Sequence, residues 1–218
     1  TGEGIGDNNI WAVASDKKGG VWIGTSGGGA SYFNGLSWKN FSPSNSGIVS
    51  NSIYVVHEDR NGIVWFASTF GGVGSFDGIT WKTYPSGPTD VRDIVTDANN
   101  TVWMGTFTSG LWKYDGVTWN NILPSSDGLK SEHPEILGVD TDNSLWIGYK
   151  FDKGVSRLDN TSWTHYTSLD GLASNEVRAI AIDGNGVKWF GTSNGLSRYD
   201  GKNWKTYQTT DGLIDNSI

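Results

Sequence analysis

Three histidines, His57, His133 and His165, are the residues of this sequence best suited to acid–base chemistry. No two of them have the short spacing of a metal-binding motif, so we expect no metal site built on histidine. His133 lies beside carboxylates in the segment Glu132-His133-Pro134-Glu135. Because a catalytic acid or base acts within hydrogen-bond reach of its partners, a lyase or hydrolase centred on His133 is one hypothesis. The absence of cysteine excludes a thiolate nucleophile and a thiolate metal site.

Aspartates that recur at turns raise the alternative of calcium binding. The set is Asp16, Asp59, Asp97, Asp140 and Asp183. Neither the ligand spacing of an EF-hand nor its closing glutamate follows any of them. An aspartate that folds its side chain back onto the amides of its own turn explains all five. We therefore predict a chain with no metal, no cofactor and no dedicated catalytic residues.

Composition narrows the class of partner. The net charge is -7, from 16 Lys and Arg against 23 Asp and Glu, and no basic cluster is present. Nucleic acids and anionic membrane surfaces both need clustered positive charge, so neither is an expected partner. No stretch approaches the roughly 18 consecutive apolar residues of a membrane span. The 31 glycines favour many short strands joined by tight turns rather than long helices.

Tryptophan shows that the sequence is a repeat. One set recurs at spacings of 43, 38, 43 and 43 residues: Trp22, Trp65, Trp103, Trp146 and Trp189. A second set keeps step with it: Trp38, Trp81, Trp119, Trp163 and Trp204. Between the two sets each copy has a turn such as Asn34-Gly35 or Asp77-Gly78, which is the signal of a two-residue hairpin. Another hairpin signal precedes each first tryptophan, with only glycine or asparagine where a left-handed residue is needed: Gly62, Asn100, Asn143 and Gly186.

Strands placed between these turns number four in each repeat, and four antiparallel strands per forty-odd residues predict a propeller blade. The expected fold is all-β, a β-propeller with five four-stranded antiparallel blades, complete or part of a larger propeller. We place it in one domain, 1–218, with blades at about 7–47, 51–88, 89–128, 132–171 and 175–212. Residues 213–218 then begin a further repeat.

The same residues carry a resemblance to a known family. Their pattern is W-[IFM]-[GA]-[TS], then G-[LV], then [FY]-[DN]-G-x-x-W-x-x-[FY], then D-G-L-x-x-N. It resembles the two-component regulator propeller repeat. The resemblance implies an extracytoplasmic propeller of the kind found in bacterial hybrid sensors and surface proteins, whose better understood sensors respond to oligosaccharides. The chain departs from those sensors by showing five repeats, where rings of seven are usual, and by lacking a kinase segment.

Residues that differ between copies are the better candidates for function, because repeated residues pack one blade on the next. The residue five positions before each turn aspartate differs in chemistry between copies. The residue two positions after it is always apolar, which predicts that these residues lie in the core: Val13, Val56, Ile94, Leu137 and Ile180. The loops between the second and third strands vary too. Both groups are expected at the axial face of the propeller, which gives the candidate ligand-binding residues Trp11, Tyr54, Arg92, Glu135, Arg178, Phe70, Phe107 and Phe151. Trp112, where other copies have serine or glycine, either fills a local gap or lies exposed.

Two functions beside the enzyme hypothesis follow. The first is extracytoplasmic recognition, in the periplasm, on the cell surface or after secretion. Its ligand is a small molecule or an oligosaccharide, held by aromatic faces and convergent donors. The second is an assembly module, in which the chain associates with itself or continues into further blades through exposed strand edges. This hypothesis rests on the two ends of the sequence: Glu3–Ile10 and Asp211–Ile218 match in repeat phase, so one connector is present twice.

Overall fold

The computed structural model describes residues 4–124 and 128–218. Its first two sheets are β1–β2–β3–β4 and β5–β6–β7–β8, each with sequential neighbours hydrogen-bonded. Their strands are β1 (Ile10–Ser15), β2 (Val21–Thr25), β3 (Ala30–Phe33), β4 (Trp38–Phe41), β5 (Val55–Glu58), β6 (Val64–Ser68), β7 (Gly72–Phe76) and β8 (Trp81–Tyr84). The third sheet has the strands β9 (Val91–Thr96), β10 (Val102–Thr106), β11 (Leu111–Tyr114) and β12 (Trp119–Ile122).

The fourth and fifth sheets have the same sequential order. Their strands are β13 (Ile136–Val139), β14 (Leu145–Gly148), β15 (Val155–Asp159), β16 (Ser162–Tyr166), β17 (Val177–Ile182), β18 (Lys188–Thr192), β19 (Gly195–Tyr199) and β20 (Trp204–Tyr207). The predicted fold is confirmed: the chain is an all-β propeller protein with five four-stranded antiparallel sheets. A 3-10 turn is formed by Thr209–Asp211. Among the described residues, no helix is long and apolar enough to cross a membrane.

The chain forms two compact units. The first contains residues 4–104 and 112–119, and the second contains 105–111 with the described residues from 120 to 218. In the first unit, Trp22 of β2 is buried with Phe41, Ile53 and Phe66 between the first two sheets. In the second unit, Trp146 is buried with Val177 and Phe190 between the fourth and fifth sheets. Each such side chain gains about 1.5–3 kcal/mol from burial, so the periodic tryptophans hold sheet on sheet.

Turn geometry follows the prediction made from glycine and asparagine. Gly62, Asn100, Asn143 and Gly186 all have positive φ, between 63° and 82°. The aspartate that opens the turn accepts hydrogen bonds from turn amides, as Asp59 Oδ1 does from Asn61 N at 2.8 Å and from Ile63 N at 3.0 Å. The second carboxylate oxygen accepts the indole N–H of the first tryptophan of the repeat. That bond recurs in three sheets: Trp65 to Asp59, Trp103 to Asp97 and Trp146 to Asp140, at 3.0–3.2 Å.

The first sheet replaces that indole bond by a different pair of residues. Tyr32 donates its hydroxyl to Asp16 Oδ2 at 2.7 Å, and this hydrogen bond raises the pKa of Tyr32 to about 12. The ring has room because position 20 is glycine. A Cβ on Gly20 would overlap the Tyr32 ring, with Cε2 at 2.5 Å and Cζ at 2.6 Å. In the second sheet the equivalent positions hold Ile63 and Ser75, so a large residue on one strand accompanies a small one on the other.

One predicted core residue is wrong. Val13 is 66% exposed, whereas its equivalent Val56 in the second sheet is 7% exposed. Repeat arithmetic treats all five sheets alike, but Val56 is covered by the sheet before it, whereas Val13 lies on β1, whose main contacts within the first unit are to β2 and β5. The prediction is confirmed for Ile94 and Leu137, which are buried. Ile180 is half-buried and packs against the Trp146 cluster.

The last residues of the chain contact the fifth sheet in the way that two earlier connectors contact the first and fourth sheets. Ile218 donates its N–H to Thr192 O at 3.0 Å. Ile53 makes the equivalent bond to Thr25 at 2.8 Å, and Val177 makes it to Tyr149 at 3.0 Å. A Cβ added to Gly191 would come within 2.8 Å of the Cγ2 methyl group of Ile218. These contacts are those of a residue that leads into an inner strand, and the further repeat at 213–218 stays a prediction.

Candidate functional site

Three candidate residues of the first unit form one row, here called the Trp11 row: Trp11, Tyr54 and Arg92. The rings of Trp11 and Tyr54 meet edge to face, with centroids 5.3 Å apart and an interplanar angle of 67°. The Arg92 guanidinium lies over the ring of Tyr54, with its carbon Cζ 4.8 Å from the ring centroid. Trp11 is 44% exposed, so part of its ring faces solvent. An exposed indole beside a phenol and a guanidinium can stack on a ring and donate hydrogen bonds around it.

A β-bulge positions the tryptophan of this row. The pairing of β1 with β2 shifts between Ile10 and Ala12, so Trp11 is the extra residue of the strand. The same irregularity recurs at β17, between Val177 and Ala179, and there the extra residue is Arg178. A bulge redirects one side chain away from the alternation of the strand and is frequent beside binding sites. The two bulges therefore explain why this repeat position can vary without disturbing the core.

Phe70 lies in the loop between β6 and β7. Its side chain is 91% exposed, and it borders a groove of about 270 Å³ whose walls include Val73, Tyr84 and Pro85. The groove is mostly apolar, and its lining side chains carry no charge. Phe70 was predicted for the same ligand site as Trp11. The structure gives it a local environment of its own.

In the second unit, Phe107 and Phe151 come together around a histidine. Their ring centroids are 6.2 Å apart, and His133 lies 5.5 Å from Phe107 and 5.1 Å from Phe151. His133 Nδ1 hydrogen-bonds to the carbonyl oxygen of Phe107. Because a carbonyl oxygen only accepts, Nδ1 is the donor of this bond. Three residues that vary between repeats thus share one aromatic cluster.

The other two candidates of this unit have different surroundings. Arg178 is exposed, pairs with Glu176 at 2.9 Å, and donates to Ser217 Oγ at 2.5 Å. Glu135 is only 8% exposed. A buried carboxylate at this position is a poorer ligand contact than an exposed arginine, because a ligand must reach it. Of the eight predicted residues, three therefore meet in the first unit and two in the second.

The enzyme hypothesis gains little from this geometry. A general base is normally oriented by a second polar group, most often a carboxylate. The polar partner found for the His133 ring is the backbone carbonyl of Phe107, at Nδ1. Glu132 is exposed in the adjoining connector. Ser156 and His165 do form a Ser–His hydrogen bond of 2.7 Å, but Ser156 is completely buried and also bonds Tyr149.

The sequence analysis assigned no role to a buried lysine, Lys188, or to the surroundings of a part-buried histidine, His57. Lys188 stands where other copies have valine or leucine, and its ammonium lies 2.6 Å from Asp140 Oδ2. The two side chains are 10% and 2% exposed. His57 occupies β5 opposite Trp65, and its Nε2 lies 2.7 Å from Thr96 Oγ1. Burial lowers the pKa of His57 to about 4. The signal for both was present, since each is a polar residue at a repeat position that is otherwise apolar or small.

Two segments of the chain match a described family. The family model for the two component regulator propeller matches residues 4–27 and 47–70. These segments are two-component regulator propeller repeats. Each matched segment joins a connector to the first strands of a sheet, and the first of them contains the bulge at Trp11. A search of curated protein sequences gives no significant match.

Solved structures with this propeller fold come from several bacteria. The extracellular domain of a hybrid two component system from B. thetaiotaomicron is 24% identical with a TM-score of 0.76, over 91% of this chain and 30% of that one. Virginiamycin B lyase from Staphylococcus aureus, solved as an inactive variant with Quinupristin, is 16% identical with a TM-score of 0.74, over 93% and 70%. PorZ, a surface component of the type-IX secretion system of Porphyromonas gingivalis, is 15% identical with a TM-score of 0.73, over 96% and 35%.

The chain spans about a third of the length of that extracellular domain and of PorZ. At these identities the likeness concerns the fold, which occurs in an extracellular domain of a two component system, in a surface component of a secretion system and in a lyase.

Proposed function

We propose that this propeller is a non-catalytic recognition module that works outside the cytoplasm and binds an oligosaccharide through the Trp11 row. The observation that carries the proposal is the exposed, bulged Trp11 packed on Tyr54 with Arg92 beyond it. A sugar ring presents an apolar face for an indole and hydroxyl groups for a guanidinium, so one ligand can satisfy both. The two-component regulator propeller repeats and the extracellular domain with the same fold support the location.

Replacing Trp11 by alanine is expected to weaken oligosaccharide binding at least tenfold, because the exposed stacking face is lost. A panel of neutral and acidic oligosaccharides is screened first by intrinsic fluorescence, and the affinity of each hit is then measured by calorimetry. Val13→Ala is the matched control, since Val13 is exposed on the same strand but lies outside the row. Affinity unchanged within twofold in Trp11→Ala would remove the row from the binding site. A silent panel on a cooperatively melting chain would favour the second candidate.

That second candidate is assembly through sheet faces. Ile10 and Val13 are exposed on β1, while the equivalent Ile53 and Val56 are buried against the sheet before them. The same apolar positions thus pack between sheets inside the chain and lie open at β1. A further blade or a second chain is the partner that would cover them. We expect Val13→Asp to lower the average mass measured by light scattering at high protein concentration. A concentration-independent monomer mass for the unaltered chain would contradict assembly.

A further inference from the structure

A cation of the chain itself occupies the cleft between the fourth and fifth sheets. The Lys188 ammonium lies 2.6 Å from Asp140 Oδ2 and donates to the carbonyl oxygen of Gly186 at 2.8 Å. Its nitrogen also lies over two rings, 5.4 Å from the centroid of Trp146 and 5.8 Å from that of Tyr199. A carboxylate, a carbonyl and two aromatic faces together make an environment that binds an organic ammonium ion.

The equivalent place between the first and second sheets is a cavity of about 240 Å³. Its lining includes the residues at the repeat positions of Asp140, Trp146, Gly186 and Tyr199, which are Asp16, Trp22, Gly62 and Phe76. The position of Lys188 is held by Val64, whose side chain is too short to reach Asp16 in the same way. The cavity therefore has the surroundings of the Lys188 ammonium without the lysine.

The aromatic walls of the two clefts have nearly the same geometry. Trp22 meets Phe76 edge to face, with centroids 6.1 Å apart and an interplanar angle of 73°. Trp146 meets Tyr199 at 5.9 Å and 65°. The cavity has a further ring that lines it, since Tyr32 packs on Trp22 with centroids 4.6 Å apart. The π faces that surround the ammonium in one cleft are thus present in the other.

The turn aspartate of the cavity has room for one more donor. At two other junctions its outer oxygen, Oδ2, has a second donor besides the indole: Lys188 Nζ at Asp140 and Asn100 Nδ2 at Asp59, at 2.6 and 3.5 Å. In the part of the chain that the structure describes, the donor found for Asp16 Oδ2 is the Tyr32 hydroxyl at 2.7 Å. A carboxylate oxygen accepts two hydrogen bonds, so Asp16 Oδ2 can accept another.

The carboxylates around the cavity favour a cation as its occupant. Glu58 lines the cavity at the repeat position where the fifth sheet has Ile182. Asp77 adds a third carboxylate beside Asp16 and Glu58. The cleft of Lys188 has an apolar residue where Glu58 stands, so the cavity is the more acidic of the two. Charge therefore acts in the same direction as the aromatic walls.

Two lysines that line the cavity, Lys18 and Lys39, do not replace that cation. Both are exposed, and among the described residues neither forms an ion pair with the carboxylates of the cavity. Lys39 Nζ lies 5.1 Å from the centroid of the Phe41 ring, as Lys82 Nζ lies 4.8 Å from that of Tyr84 in the second sheet. This contact is therefore a feature of the fourth strand of a sheet rather than of the cavity.

We propose that this cavity binds the primary ammonium group of a small alkylamine. Asp16 Oδ2 and the carbonyl oxygen of Gly62 accept its hydrogen bonds, and the rings of Trp22 and Phe76 face its charge. The bound ammonium takes the place that Lys188 fills in the other cleft. The site shares no residue with the Trp11 row, so it does not depend on oligosaccharide binding.

The probe is n-butylammonium, which has the four methylene or methyl carbons and the ammonium of a lysine side chain. Added to the full chain, it should shift the NMR signals of the Gly62 amide and the Trp22 indole N–H saturably. Neutral n-butanol should bind at least tenfold more weakly, because it lacks the charge that the carboxylates and rings attract. Tetramethylammonium should also bind more weakly, because it has the charge but no N–H donor.

Asp16→Asn should lower the affinity for n-butylammonium at least tenfold, because a neutral amide replaces the carboxylate. Asp97→Asn is the matched control. Asp97 accepts the amides of the equivalent turn in the third sheet, as Asp16 does in the first, and it does not line the cavity. Its affinity should stay within twofold of that of the unaltered chain.

Val64→Lys copies the fifth sheet and should abolish n-butylammonium binding, because the new ammonium fills the cavity in cis. If that variant does not fold, the comparison of Asp16→Asn with Asp97→Asn decides. Equal binding by Asp16→Asn and the unaltered chain would overturn the proposal, as would an equal response to n-butanol or no saturable shift at all. Binding that occurs only after Lys39→Gln would also overturn it, since Lys39 would then be the cation of this cavity.

Discussion

The free energy of unfolding should fall by about 3–5 kcal/mol when Asp140 is replaced by alanine. Asp140 Oδ2 accepts from the Trp146 indole at 3.2 Å and pairs with Lys188 at 2.6 Å, and Oδ1 accepts from Thr141 N at 2.7 Å. Removing the carboxylate leaves the Lys188 ammonium buried without its counter-ion, close to the rings of Trp146 and Tyr199. Urea denaturation followed by circular dichroism measures the loss.

The matched variant is Lys188→Leu, because the fourth sheet has leucine at the equivalent position, Leu145. Asp140 then keeps its indole and amide donors, which is the arrangement that already holds Asp59 and Asp97. We expect less than half the loss seen for Asp140→Ala. Equal losses in the two variants would show that the stability comes from the ion pair itself and would contradict this account of an unpaired buried charge.

Acidification should destabilise the chain between about pH 6.5 and pH 4 through His57. The pKa of His57 is lowered from 6.5 to about 4 by burial, so the unfolded chain binds the proton more tightly than the folded chain. Stability is therefore complete above pH 6.5 and is lost as the pH falls to 4, by roughly 3 kcal/mol in total. Denaturant titrations at half-unit pH intervals measure the slope.

His57→Gln is the control, because glutamine can still hydrogen-bond to Thr96 but does not titrate. The variant should lose the slope between pH 6.5 and 4 and be the more stable chain at pH 4. Aspartates such as Asp115 and Asp200, whose pKa is held at about 2 by turn amides, contribute at lower pH and leave this window unaffected. Parallel pH profiles for the two chains would rule out His57 as the source.

The fold was readable from the sequence because its signals repeat. Tryptophan spacing and the recurring turn signals predict four strands in each repeat, and the described residues form four in each sheet. These signals are reliable because each turn residue is required by local backbone geometry that does not depend on distant contacts. Val13 shows the limit of that reasoning. Its environment depends on what covers β1, and the repeat pattern carries no information on that point. Trp112 was left open between filling a gap and being exposed, and it packs against the core beside Trp119.

The candidate site was partly readable. Variation between copies selected Trp11, Tyr54 and Arg92, and the structure brings these three together. Variation between copies could not distinguish exposed Arg178 from buried Glu135, because burial depends on side-chain packing around each loop. The spacing of 38 residues between Trp65 and Trp103 shows in the sequence alone that the connector between β8 and β9 is short.

The pairing of Gly20 with Tyr32 limits how such a chain can be rearranged by recombination. A crossover in a connector moves a whole blade, and the small and large residues travel together. A crossover between β2 and β3 separates them, and a blade that combines Ile63 from one copy with Tyr32 from another would place two large side chains in one space. Gene duplication and shuffling in this kind of protein should therefore leave junctions between blades and avoid the interior of a blade.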